Sequence, residues 1–280
     1  MANHVSPQIP APDLLDPALS DADLAAALVR GAADIALRMR ESGLSAVEKT
    51  SVSDVVTAAD TAAESYVLWQ LRRCRPDDSI LGEEGAAHAG SSGRTWVVDP
   101  VDGTFNFFSV STYWCSALAL TGTADPDALQ DAEVLIGAIY QPQENRLWLG
   151  GTLQAATLNG LPIHADPRQD VAQLCAGTYI HPSWLAQPNA GGPWHAAAML
   201  PASLRMFGSG SCDLGRVAQA ELGAWFQHSC PAWDWLPGKG IVRAAGGDTA
   251  VVRVNGLDWF VAGPAGAVAQ LGAALQSEEQ

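Results

Sequence analysis

The stretch Trp96-Val97-Val98-Asp99-Pro100-Val101-Asp102-Gly103-Thr104-Phe105-Asn106-Phe107 sets a short apolar strand directly before two acids three residues apart. Pro100 fixes one backbone angle between Asp99 and Asp102, so their carboxylates can converge around a tight turn. Convergent carboxylates repel unless a cation lies between them. Mg²⁺ is the hard cation that such oxygens suit, with a carbonyl such as that of Val101 as a further donor. Gly103 and Thr104 then offer backbone N–H groups at a helix start, a cradle for phosphate oxygens. Taken alone, Asp-x-x-Asp-Gly also describes an ordinary surface turn, so the surrounding acids decide the reading.

Two further acidic stretches supply that context. Leu81-Gly82-Glu83-Glu84-Gly85 places acids just after a strand, with glycines that let the chain bend. Ala232-Trp233-Asp234-Trp235 sets one carboxylate between two large aromatics, where it needs a metal, an Arg or helix N–H groups if it is buried. The whole chain carries 30 acidic against 15 basic residues, a formal charge of −15. That balance repels nucleic acid, anionic membrane and anionic metabolites alike, so an anionic substrate requires an intervening cation. Trp114, Trp148, Trp184, Trp194 and Trp225 have no basic residues interleaved with them and read as packing, not as a base-stacking platform. The five cysteines never fall at two-residue spacings and are expected to be reduced and mostly buried. Residues 1–20 form a Pro-rich leader without the basic start and apolar run of an export signal. No run of about 18 apolar residues occurs, so neither a membrane span nor a membrane partner is expected, and the cytoplasm is the expected compartment.

With 280 residues, 48% of them hydrophobic, the chain can fill a sizeable core. Apolar periodicity predicts helices over 21–41, 58–73, 211–223, 234–245 and 265–275. Strands are expected over 52–57, 79–81, 95–98, 113–120, 174–180 and 225–227, with a hairpin joining 134–140 to 146–149 and a closing pair at 251–254 and 259–262. Asn159-Gly160 signals a tight turn, and 187–192 reads as a surface loop. The expected organisation is a leader over 1–20, an α+β half over 21–165 with most of the metal-binding acids, and an α/β half over 166–280 with Asp234 and substrate contacts.

In order and spacing, these motifs resemble the inositol monophosphatase family. The resemblance rests on Asp54-Val55-Val56-Thr57-Ala58-Ala59-Asp60, on Gly82-Glu83-Glu84, on the central stretch quoted above, and on Trp233-Asp234 followed by Ala244-Ala245-Gly246-Gly247. It implies an α+β fold, a layered αβαβα sandwich of the inositol monophosphatase and fructose-1,6-bisphosphatase type, and a homodimer. It also implies that Glu83, Asp99 and the Val101 carbonyl hold one Mg²⁺ and that Asp99, Asp102 and Asp234 hold a second. Asp60 and Thr104 would orient and deprotonate the attacking water. Lys49 would lie near the metal loop, while Gly103, Thr104, Gly208, Ser209, Gly210 and Gln227 would contact substrate. The implied activity is Mg²⁺-dependent hydrolysis of a small polyol phosphate such as inositol 1-phosphate.

The sequence departs from the pattern at two places. Gln227 stands where relatives acting on inositol phosphates carry an acid, which brings histidinol phosphate forward as an alternative. Fructose bisphosphate and 3′-phosphoadenosine 5′-phosphate are others. In Trp235-Leu236-Pro237-Gly238-Lys239-Gly240 the glycines are expected to weaken a helix and open the pocket. His228 reads either as a substrate contact or as a loop residue, and His181 as a strand-end cap or a cleft residue. A non-catalytic, protein-binding relative is the rival of another class; it would be expected to lose metal ligands, and all four carboxylates are present.

Overall fold

The computed structural model describes residues 13–42, 46–48 and 55–277, with backbone alone at 46–48 and 55–57. Its elements in order are α1 (Asp21–Glu41), β1 (Ala46–Glu48), β2 (Val55–Thr57), α2 (Ala58–Cys74), β3 (Ser79–Gly82), β4 (Ala87–His88), β5 (Thr95–Asp102), α3 (Thr104–Phe108), β6 (Cys115–Thr121), β7 (Val134–Gln141), β8 (Arg146–Gly151), β9 (Gln154–Leu158) and β10 (Leu161–Pro162). These are followed by β11 (Cys175–Thr178), α4 (Pro182–Leu185), α5 (Pro188–Ala198), β12 (Ser203–Arg205), α6 (Gly210–Ala218), β13 (Ala224–His228), α7 (Ala232–Ala244), β14 (Asp248–Val254), β15 (Leu257–Gly263) and α8 (Ala265–Gln276).

Side-chain alternation along the strands explains how these elements stack. In β5, Trp96 and Val98 join Leu118, Leu120, Ile136 and Ala138 in a core shared with Leu24, Leu28, Val67 and Leu71 of α1 and α2. The intervening Val97 points the other way, with Ala117, Ala119 and Ile139, into a core built with α6 and α7. The second sheet repeats the pattern: Trp225, Phe260 and Ala262 face α6 and α7, whereas Phe226, Trp259 and Val261 face α5 and α8. Helices therefore cover both faces of both sheets in five layers, an αβαβα sandwich. Strands buried on both faces read as unbroken apolar runs, as β6 does.

The first sheet has eight strands in the order β10-β9-β8-β7-β6-β5-β3-β4, antiparallel except where β3 runs parallel to β5. The second has five, in the order β12-β11-β13-β15-β14, with β11 parallel to both β12 and β13. Against β6, Asp99 pairs with Ala117 and Asp102 with Cys115, so β5 fits one extra residue into that interval. In a regular strand, residues three apart face opposite sides; this bulge re-aims the two acids. Buried Ser116 fixes it by donating from Oγ to the Pro100 carbonyl at 2.6 Å.

Residues 187–192 are not a loop. Pro188 opens α5, whose buried face is Ala190, Pro193 and Ala197. Proline is tolerated in a first helical turn, and the Gly- and Pro-rich composition concealed the helix. Nor do the glycines of α7 widen the cavity lined by Asp234, which neither Gly238 nor Gly240 borders. A Cβ on Gly238 would meet Leu214 Cβ at 2.4 Å and one on Gly240 would meet Val134 Cγ1 at 2.5 Å, so these residues let α7 lie close to α6 and the first sheet. On the sheet side, a Cβ on Gly137 would reach the Pro237 carbonyl at 2.3 Å. Neither backbone can move without parting the layers, so Gly137→Ala is expected to cost about 1–3 kcal/mol by overpacking. Gly122→Ala, whose Cβ would meet nothing nearer than a Leu135 methyl at 3.8 Å and Glu133 Oε2 at 4.0 Å, should cost far less; urea unfolding of the two variants checks the difference.

Candidate active site

The carboxylates meet because several elements end or begin at one place. Glu83 follows β3, Asp99 and Asp102 lie on β5, Asp60 is in the first turn of α2 and Asp234 in the first turn of α7. Glu83, Asp102, Thr104, Asp234 and Gln227 line a cavity of about 600 Å³ with Gly103 and the Gly208-Ser209-Gly210 segment. Asp99, Val101 and Asp60 lie buried, each exposing 2% or less. Lys49 falls outside the described residues.

Each acid has a distinct setting. Asp102 Oδ2 accepts from the Ser211 backbone N–H at 2.5 Å and from Ser209 Oγ at 3.0 Å, where α6 begins. The first sheet is thereby tied to the helix beneath the second. Burial raises the Asp102 pKa, and the Ser211 hydrogen bond partly offsets the rise. Asp99 is within hydrogen-bonding reach of the Glu83 and Asp234 carboxyls, yet its buried Oδ1 has no donor. Burial and the Glu83 charge hold Asp99 well above the ordinary carboxylate range, and burial with the Asp102 charge does the same for Asp234. Burial pushes Glu83 up to about 7. Thr104 Oγ1 donates to the Val101 carbonyl at 3.1 Å.

Two functional supports escaped the sequence reading. Glu64, one turn after Asp60 on α2, is buried and accepts from the backbone N–H groups of Glu84 and Ala86, both at 2.8 Å. It thereby fixes the loop that carries Glu83, and a Cβ on Gly82 would come within 2.3 Å of Glu64 Oε2. The spacing of four from Asp60, which places both acids on one helix face, was the available signal. Asn106 is the second: its Nδ2 donates to the Tyr113 carbonyl at 2.8 Å and the Phe207 carbonyl at 2.7 Å, joining the central motif to the Gly208 segment. Gly103, at φ 90°, makes the turn between Asp102 and α3.

The histidines separate cleanly. His228 is buried between Trp184 and Trp259, with ring centroids 5.1 and 5.0 Å away, and does not reach the cavity. His181 is a cleft residue and not a strand-end cap: β11 ends at Thr178, and the imidazole instead caps α4, accepting from the Ser183 N–H at 3.2 Å, while it lines the cavity. Trp114, Trp148 and Trp225 are core residues, and Cys74, Cys115, Cys175, Cys212 and Cys230 are all free thiols. Among the described residues, no helix is long and apolar enough to cross a membrane.

The layered αβαβα sandwich with an acidic cavity at its strand and helix ends defines an architecture that comparison with known proteins narrows. The Inositol monophosphatase family profile matches residues 19–278, and the chain belongs to that family. A protein of Xylella fastidiosa called Nus factor SuhB is 31% identical over 203 residues, spanning 72% of this chain and 70% of that protein. The inositol-1-monophosphatase of Rhizobium meliloti is 28% identical over 70% of this chain and 71% of its own length. The solved structure of Mycobacterium tuberculosis SuhB superposes with a TM-score of 0.74 at 26% identity, covering 92% of this chain and 96% of that one.

The raised carboxyl pKa values carry a sign that can be measured. Without added cation, the folded protein retains protons that the unfolded chain releases, so its stability falls as pH rises from about 4.5 towards and past 7. A divalent cation that bound these carboxylates would compete with those protons, so added Mg²⁺ is expected to raise the melting temperature more at pH 8 than at pH 6. Differential scanning fluorimetry at both pH values, with Mg²⁺ and with EDTA, reads the effect; an equal shift at both would contradict it.

Proposed function

We propose that this chain is a Mg²⁺-dependent phosphomonoesterase that hydrolyses a small alcohol phosphate. The observation that carries the reading is Asp99: a buried carboxyl within reach of two others, with one oxygen lacking any donor. Two like charges about 4 Å apart repel by about 4 kcal/mol at an effective dielectric near 20. Several such pairs ionised together would cancel most of a domain's stability of roughly 5–15 kcal/mol. Protons relieve that repulsion at low pH, and divalent cations relieve it at neutral pH.

Among the described residues, no three acids already stand as a formed coordination sphere. The donors are nonetheless hard oxygens, crowded and in part unpaired, which suits Mg²⁺. Glu83, Asp99 and the Val101 carbonyl would hold one ion, and Asp99, Asp102 and Asp234 a second. Asp102 has Oδ1 for this role, since Oδ2 is occupied by α6. Bound there, Mg²⁺ supplies a lowered pKa for the attacking water and positive charge for the phosphoryl oxygens.

The chain's own groups do the rest. Asp60 accepts the proton of the water that attacks phosphorus, and Thr104, whose hydroxyl is oriented by the Val101 carbonyl, aligns that water. The backbone at Gly103 and Thr104 receives the phosphate. Gly208, Ser209 and Gly210 face the departing alcohol beside Gln227. Gln227 can donate and accept a hydrogen bond but brings no charge, so this wall does not supply the carboxylate that strengthens binding to a polyol's hydroxyls. A homodimer follows from the family resemblance and belongs to the same proposal. Relatives bearing the name Nus factor raise a binding role beside catalysis; complete retention of Glu83, Asp99, Asp102 and Asp234 favours an active enzyme.

Asp99→Asn tests the assignment. It is expected to lower kcat by about 10³-fold or more while leaving the fold intact, because a neutral amide relieves the repulsion that burial imposes. The Mg²⁺-induced rise in melting temperature should disappear with it. Phosphate release within tenfold of the parent would overturn the metal assignment.

A further inference from the structure

The cavity is not lined by carboxylates alone. Phe105, Tyr179, Met206 and Phe207 all contribute to its lining. Phe105, Met206 and Phe207 leave 48%, 49% and 37% of their surfaces exposed, and large apolar groups gathered on one cavity mark a binding surface.

Phe207 is also held firmly. Its carbonyl accepts from Asn106 Nδ2 at 2.7 Å, and its ring lies 4.7 Å from that of Tyr113 at a tilt of 36°. Tyr113 is anchored in turn, donating its hydroxyl to buried Asp213 at 2.5 Å, while the Arg216 guanidinium lies over its ring, 4.7 Å from the centroid. A ring braced from behind by a fixed aromatic stack is a preorganised platform, which lowers the entropy cost of binding.

The rim separates the candidate leaving groups. A bare polyol set against these apolar side chains would lose water from hydroxyls that find no partner on them. A flat ring would gain by stacking on them. The neutral Gln227 amide offers a donor and an acceptor to ring heteroatoms. The Glu84 carboxylate also lines the cavity, so a second phosphate on the alcohol would be repelled. The volume of about 600 Å³ accommodates a phosphate together with a ring.

Resting on the phosphomonoesterase reading, we propose that the leaving alcohol of the substrate carries a planar heteroaromatic ring and only one phosphate, the ring stacking on the Met206–Phe207 rim. Hydrolysis breaks the bond between phosphorus and the ester oxygen, water forms the new phosphorus–oxygen bond, and a proton from that water returns to the departing alcohol.

The test compares kcat/KM of the full chain with Mg²⁺ on two ring-bearing esters, histidinol phosphate and 2′-AMP, and two ring-free ones, inositol 1-phosphate and glycerol 2-phosphate. At least one ring-bearing ester is expected to exceed both ring-free esters by about tenfold or more. Phe207→Ala should raise KM for the preferred ester about tenfold and reduce kcat/KM for glycerol 2-phosphate by a factor at least five smaller, with Phe207→Tyr restoring the preference. Faster hydrolysis of the ring-free esters, or an equal loss on both classes in Phe207→Ala, would overturn the ring assignment and leave the phosphatase reading standing. No hydrolysis of any of the four would overturn both.

Discussion

Mutual repulsion among buried and half-buried acids is the constraint around which this molecule is organised. Glu83, Asp99, Asp102 and Asp234 approach one another where burial has already raised the cost of ionising each of them. Such a cluster persists in a stable fold only if its backbone is held from several directions at once. The supports are visible: Glu64 holds the loop of Glu83, Ser116 holds the bulge between Asp99 and Asp102, and the start of α6 holds Asp102 itself. The surrounding layers supply the rigidity that these local bonds require.

The bulge in β5 shows how a small irregularity serves chemistry. Without the extra residue, Asp99 and Asp102 would face opposite sides of the sheet, one towards α1 and α2 and the other towards the cleft. The sequence carried a hint in Pro100, which disfavours continued ladder pairing, and it was read as a tight turn. The structure shows instead a strand that continues to Asp102 with its register shifted. Both descriptions bring the acids together; only the second explains why the strand can remain buried on both sides.

Legibility differed by the kind of signal. Helices α1, α2 and α8 and the β7–β8 hairpin were plain because apolar periodicity and turn residues agreed there. Helix α5 was hidden because Pro188, Gly191, Gly192 and Pro193 imitate a loop, and only tertiary burial of Ala190 and Ala197 selects the helix. The acids of the site stood out as short motifs beside strands. Their supports did not: Glu64 offered only its spacing of four from Asp60, and the backbone groups that Glu64 and Asn106 hold at Ala86 and Phe207 lie far along the chain. The role of the α7 glycines was misjudged for the same reason: what they touch, Leu214 and Val134, is remote in sequence.

The attachment of Asp102 to the start of α6 has an implication for how this architecture changes over time. One oxygen of that side chain fastens the first sheet to the central helices, so the residue has a part in the fold that is independent of any chemistry. A descendant that abandoned catalysis for scaffolding would be free to lose Glu83 or Asp99, and would gain stability by shedding a confined charge, but it would still need Asp102. Presence of that aspartate therefore marks ancestry more than activity, and the acids whose only company is other acids are the better witnesses to a working catalyst.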